Sequence, residues 1–195
     1  MASKHAKEAV DDPYAAYTYA KDVIKGRWYQ AELTIMKDPH LAYMYALDVI
    51  KGRWPDAEPV IVKVPYWAYQ YAMYVIKGRW PEAESFISQN VVTACDYARC
   101  FIKGRWPECE AIIIKDPMSA VCYARLVVNA RWSEAEPYIM KDPKWAYRYA
   151  RYVVKGRWPA AEPHIMKDPE CAYKYAARFE LGRVKWMLSE LCLHE

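Results

Sequence analysis

The side chains best equipped for chemistry in this chain come in register. Arginine stands at Arg27, Arg53, Arg79, Arg105, Arg131, Arg157 and Arg183, a constant step of 26 residues. Tryptophan follows directly at Trp28, Trp54, Trp80, Trp106, Trp132 and Trp158, and a glutamate stands five residues after most of the arginines, as at Glu58, Glu84 and Glu110. Arginine beside tryptophan can stack a base or grip a phosphate. One glutamate per arginine cancels the charge that such a grip needs. Arg53 with Glu58, Arg79 with Glu84 and Arg105 with Glu110 therefore read as structural ion pairs. They lock the turn to the helix that follows, or tie one layer to the next. Trp54, Trp80, Trp106 and the recurring tyrosines read as packing between layers, with their polar atoms needing partners if buried.

No catalytic, cofactor-binding or metal-binding constellation is expected. The histidines His5, His40, His164 and His194 are scattered. Cys192 and His194 stand together without two further ligands at metal-binding spacing. Glycine occurs singly, so no phosphate-cradling loop is present. A glutamate in every repeat is not a catalytic device, because catalysis needs distinct environments at one site. The chain is therefore expected not to be an enzyme. The six cysteines share no repeat position, and Cys109 replaces the alanine of other copies. They are expected to be reduced, small apolar fillers.

A fixed period in this range means a stacked array rather than one central core. Each repeat must supply two helices. In Asp38-Pro39-His40-Leu41-Ala42-Tyr43-Met44-Tyr45-Ala46, aspartate caps and proline opens a first helix of about 12 residues. Ala42, Tyr45, Ala46 and Val49 form its buried face. Lys51 suits the last turn, and Gly52 is expected to supply the left-handed residue that stops it. Pro55 opens a second helix of about nine residues, ending near Lys63. Pro59, repeated at Pro137 and Pro163, predicts a tight first turn and then a kink or restart. In the fourth repeat Asn90 replaces the capping aspartate and still caps. In the fifth, Asn129-Ala130 replaces Lys-Gly, and Asn129 is expected to take the left-handed position.

The expected fold is all-α: an α-solenoid of about seven 26-residue helix-turn-helix repeats in one domain over residues 1–195. Residues 1–12 form an N-terminal cap, 13–176 the tandem repeats and 177–195 a C-terminal cap. Seven layers predict a rod roughly 60 to 70 Å long. Met1 to Asp12 lacks the apolar run of a signal peptide, and no 18-residue apolar stretch occurs. A cytoplasmic, intracellular protein without a membrane partner is expected.

The stretches Lys51 to Glu58 and Arg157 to Pro169 follow the pattern Lys-Gly-Arg-Trp-Pro-x-Ala-Glu-Pro-x-Ile-Met-Lys-Asp-Pro. The pattern resembles tandem helical repeats in uncharacterised proteins of tailed bacteriophages, and the resemblance covers nearly the whole chain. It implies a viral protein acting in the cytoplasm of a bacterial host, and it brings no assigned activity and no site.

Positions that must fit a neighbouring layer cannot vary between copies, whereas positions that face a partner can. The variable face of the first helix runs from Thr18, Lys21 and Asp22 through Met44, Leu47 and Asp48 to Gln70, Met73 and Tyr74. It continues through Asp96, Arg99 and Cys100, then Cys122, Arg125 and Leu126, then Arg148, Arg151 and Tyr152, and ends at Lys174, Ala177 and Arg178. It grades from near-neutral, with an apolar middle that includes Trp67, to basic. The modest net charge of +4 does not by itself imply nucleic acid. The expected function is a protein-protein interaction scaffold, with Tyr74, Arg99, Arg125, Arg148, Arg151, Tyr152 and Arg178 binding a partner segment of acidic character. Two alternatives use the same repeats: nucleic-acid binding by the basic half, and self-assembly into a homo-oligomer.

Overall fold

A computed structural model of the chain describes residues 4–179. Most of the expected C-terminal cap, with Arg183, Cys192 and His194, lies outside the described residues. The described chain is a run of helices without a strand. It is an α-solenoid of helix pairs repeated every 26 residues, and it divides into two compact units, Met1–Tyr97 and Ala98–Glu195.

In the first unit a short helix, Lys4–Ala9, precedes the first repeat and buries Ala6 and Ala9. The first helices of the repeats then begin at Pro13, Pro39, Pro65 and Val91. The second unit runs from Ala98 to a final helix, Pro169–Arg178. Its complete first helices begin at Pro117 and Pro143.

The helix starts are as expected. Asp38 Oδ1 accepts from the backbone N–H of His40 at 2.8 Å and of Leu41 at 3.0 Å. Asp12, Asp116, Asp142 and Asp168 cap in the same way. Asn90 does so too, accepting from Thr93 N–H at 3.1 Å. The third repeat has Val64 at this position and goes without a side-chain cap.

The helix ends differ from expectation. The last of the first helices, Pro169–Arg178, is α-helical throughout. Each one before it is α-helical for about two turns and then widens into a π-turn, as in Pro39–Tyr45 followed by Ala46–Ile50. Together these cover the 12 residues expected. The left-handed residue is not glycine. It is Lys51, at φ 58°, and likewise Lys25, Lys77, Lys103, Asn129 and Lys155, while no described glycine has positive φ. Gly52 comes one residue later and donates its N–H to the Ala46 carbonyl at 3.2 Å, the long closing bond of a helix C-cap. Asn129 is left-handed as expected, but it replaces the lysine and not the glycine. Ala130 is tolerated because that position needs no glycine conformation.

The second helices are shorter than nine residues. Where a second proline stands, as at Pro59, a turn precedes a four-residue helix, Glu58–Ile61. Where Ser85 or Ala111 stands, the helix is continuous over seven residues, Pro81–Ile87 and Pro107–Ile113. The first repeat is also split, into Tyr29–Ala31 and Glu32–Ile35, with Leu33 at the proline position. The proline is therefore sufficient for the restart but not necessary.

The core repeats with the sequence. Alanines such as Ala42, Ala46, Ala68 and Ala72 are fully buried, as are Tyr45, Tyr71, Tyr123 and Tyr149 and the isoleucines Ile35 to Ile165. Alanine on the packed face lets the helices approach and leaves room for the large rings between them.

Candidate partner-binding face

The turn motif is tied into a network that spans successive repeats. Arg53 forms two parallel bonds with Glu58, Nε to Oε1 at 2.8 Å and Nη2 to Oε2 at 2.8 Å. The same fork recurs at Arg27–Glu32, Arg79–Glu84, Arg105–Glu110, Arg131–Glu136 and Arg157–Glu162. Of the two roles expected for this pair, locking the turn to the following helix is the recurrent one. Arg105 also reaches Glu134 of the next repeat at 3.2 Å.

The tie between layers is made by a tyrosine whose role the sequence pattern did not reveal. Tyr71 stands 17 residues after Trp54. Its hydroxyl accepts from the Trp54 backbone N–H at 2.6 Å and donates to Glu58 Oε1 at 3.0 Å. Its ring meanwhile packs against Trp80 of its own repeat, centroids 5.1 Å apart. Tyr45, Tyr97, Tyr123, Tyr149 and Tyr175 make the same hydroxyl bonds one repeat back. Each tyrosine thus joins two layers. Arg53, assisted by Tyr71, holds the Glu58 carboxyl below its ordinary range. Burial pushes the phenols of Tyr45 and Tyr97 up to about 12, so they stay protonated donors. The indole Nε1 of Trp54, Trp132 and Trp158 is buried without a protein acceptor. The ladder is therefore a packing device that tolerates an unmet donor in several layers.

The variable face of the first helices is different. None of the variable positions named for it is fully buried. In the first unit its charges close on themselves: Lys21 Nζ meets Asp48 Oδ2 at 2.6 Å, and Tyr17 donates to the same oxygen at 2.5 Å. Burial works against the Asp48 anion, but Lys21 and Tyr17 outweigh it and hold the carboxyl below its ordinary value. Lys21 and Asp48 are thus a link between repeats rather than open binding positions. Trp67 stacks on His40 at 4.2 Å and on Tyr43 at 5.7 Å, beside Tyr66. Tyr74 is 52% exposed in this unit.

In the second unit the expected residues converge. Arg125, Arg151, Tyr152 and Arg178 line one cavity of about 510 Å³, completed by Asn129, Lys155 and Phe179. Each guanidinium of Arg125 and Arg151 lies 4.9 Å from the Tyr152 ring centroid. Arg125, Arg151, Lys155 and Arg178 are exposed, and no carboxylate is among the described lining residues. A second cavity of about 480 Å³ shares Arg151 and Tyr152 and adds Arg148, Lys144 and Lys174. Two acids, Asp168 and Glu170, temper its charge. Arg148 sits over Trp145 at 4.6 Å. Arg99 is exposed, lies earlier in the same unit and is not part of either cavity.

The sequence pattern missed Lys155 and Asn129 because their positions read as helix ends. It missed Phe179 because that residue falls where the repeat pattern breaks. Cys109 is a buried filler as expected, its thiol pushed up to about 12 by burial. Cys122, also expected as a filler, is exposed on the variable face. Among the described residues no group of three His, Cys, Asp or Glu could hold a metal ion, and no helix is long and apolar enough to cross a membrane. No family model matches the chain, and no curated protein or solved structure matches it at a significant level.

Proposed function

We propose that the protein is a non-enzymatic interaction scaffold. It binds an acidic segment of another protein along the exposed first-helix face of the second unit. The observation behind this reading is the contrast in how arginines are treated. All six described turn arginines are matched by a bidentate glutamate. Arg125, Arg151 and Arg178 instead surround an open cavity with Lys155 and no described carboxylate. Like charges held together without counter-charge weaken a fold, and a complementary partner relieves them while gaining on-rate and specificity. Tyr152 adds the amphipathic ring surface favoured at the centre of interfaces. The resemblance of its repeats to those of tailed-bacteriophage proteins supports a reading in which the scaffold works in a bacterial host and its partner is a host or viral protein.

The test is a polarisation titration with a labelled peptide rich in aspartate and glutamate, against the wild-type chain and the double variant Arg125→Glu/Arg151→Glu. The expected result is a loss of affinity of about tenfold or more, with the melting temperature unchanged. Peptide binding that survives both reversals places the partner elsewhere. A single-stranded oligonucleotide that binds better than the peptide, with affinity falling steeply with salt, replaces this reading by nucleic-acid binding.

A further inference from the structure

The cavity around Tyr152 has chemistry more specific than that of a generally basic surface. Two features separate Arg125 and Arg151 from the cations that recur with the repeat. The first is position. Lysine recurs at the left-handed helix end in nearly every copy, at Lys25, Lys51, Lys77, Lys103 and Lys155. A cation near a helix C-terminus is favourable there in any repeat. Arg125 and Arg151 are not of this kind. Their counterparts in the copies of the first unit are Lys21, Leu47 and Met73, and two of the three carry no charge, so the fold does not require a cation at that site. The counterparts of Arg178 are Tyr74, Cys100, Leu126 and Tyr152. The second feature is orientation. Both guanidinium groups lie against Tyr152, Arg151 Nη1 also donates to the Tyr147 hydroxyl at 3.5 Å, and neither is paired with a carboxylate lining the cavity.

Four cations around about 510 Å³ set the ligand's charge and size. One carboxylate leaves most of that charge unmatched. A single phosphate, at about two negative charges, matches half of it. A linear di- or triphosphate places successive phosphoryl groups against successive cations within one cavity. Guanidinium forks suit phosphoryl oxygens, with two parallel N–H donors each. A cavity of this volume lies in the range that encloses a small ligand. We infer that Arg125, Arg151, Lys155 and Arg178 form a site for a small, multiply charged phosphate compound of the di- or triphosphate type. The site is independent of the peptide-binding reading, although both use Arg125 and Arg151.

Calorimetric titration of the full chain with sodium tripolyphosphate at physiological ionic strength tests this. One equivalent is expected to bind. Arg151→Gln is expected to weaken it about tenfold or more, by removing a charge-assisted fork. Arg148→Gln, which alters only the neighbouring cavity, is expected to change it by less than about twofold. Both residues are exposed, and unchanged far-ultraviolet dichroism checks that the variants fold. Absence of binding overturns the inference, as does binding of several equivalents indifferent to Arg151→Gln. A chain that binds the acidic peptide but not tripolyphosphate loses this site and keeps the scaffold. The converse result keeps the site and removes the scaffold.

Discussion

The two units are built on one repeat and differ in what they do with charge on the same helix face. In the first, Lys21, Tyr17 and Asp48 close into a local network, and the following copies present Met44, Leu47, Met73 and Tyr74. In the second, Arg125, Arg151 and Arg178 crowd around Tyr152 and Lys155 without a described counter-ion in the cavity. Beneath this face both units carry the same Arg–Glu–Tyr–Trp ladder. What is identical in every copy is what each layer needs from the next. What differs is free of that demand and can be shaped by a ligand.

The comparison fails first if the ladder is not equivalent in the two units. Trp54→Ala and Trp132→Ala each remove a fully buried ring and are expected to destabilise by about 3–5 kcal/mol in denaturant melts. A large disparity between them would mean that the shared scaffold is shared only in outline. Tyr71→Phe and Tyr149→Phe test the interlayer tie more gently. Each leaves a buried Trp N–H and a glutamate oxygen without the hydroxyl, at an expected cost of about 1–3 kcal/mol.

The ladder also sets a pH window that both units should share. The carboxyls of Glu58 and Glu162 are held below the ordinary value of 4.5, chiefly by their arginines. Their contribution is present above that value and is lost as pH falls through the lower folded value. The phenols of Tyr45 and Tyr97 are raised from 10.0 to about 12, chiefly by burial. Their contribution is intact below 10 and is lost as pH rises toward 12. Dichroism against pH should therefore show a stable plateau bounded by acid and alkaline transitions. An alkaline transition absent up to pH 12 would contradict the buried donor role of these tyrosines.

The smallest effects concern the turn. Gly52 has no left-handed φ, and a Cβ built there meets nothing within 4 Å. Gly52→Ala is expected to lie between neutral and about 1 kcal/mol stabilising, through the unfolded state. Had glycine been the left-handed residue, the same change would destabilise. Lys51→Gly relieves the left-handed strain of a side-chain-bearing residue but adds backbone freedom to the unfolded chain. The two oppose, and a net shift within about 1 kcal/mol is expected in the same melts.

The sequence by itself determined the architecture. A 26-residue step without insertion, an Asp-Pro helix start and small residues on one face leave little choice but stacked helix pairs. It also determined that Arg53 and Glu58 belong together, because a glutamate follows six of the seven arginines at the same spacing. The left-handed residue was misplaced by one position, since glycine is the usual occupant and only the backbone path shows that a π-turn ends on Lys51 instead. The Tyr–Glu–Trp tie was hidden for a different reason. Its partners are 13 and 17 residues apart on separate helices, and no local period relates them. The basic face was legible as a list of varying positions, but a list contains no distances. Folding closed Lys21 onto Asp48 and brought Arg125, Arg151 and Arg178 around Tyr152, since stacking alone decides which side chains of successive layers become neighbours.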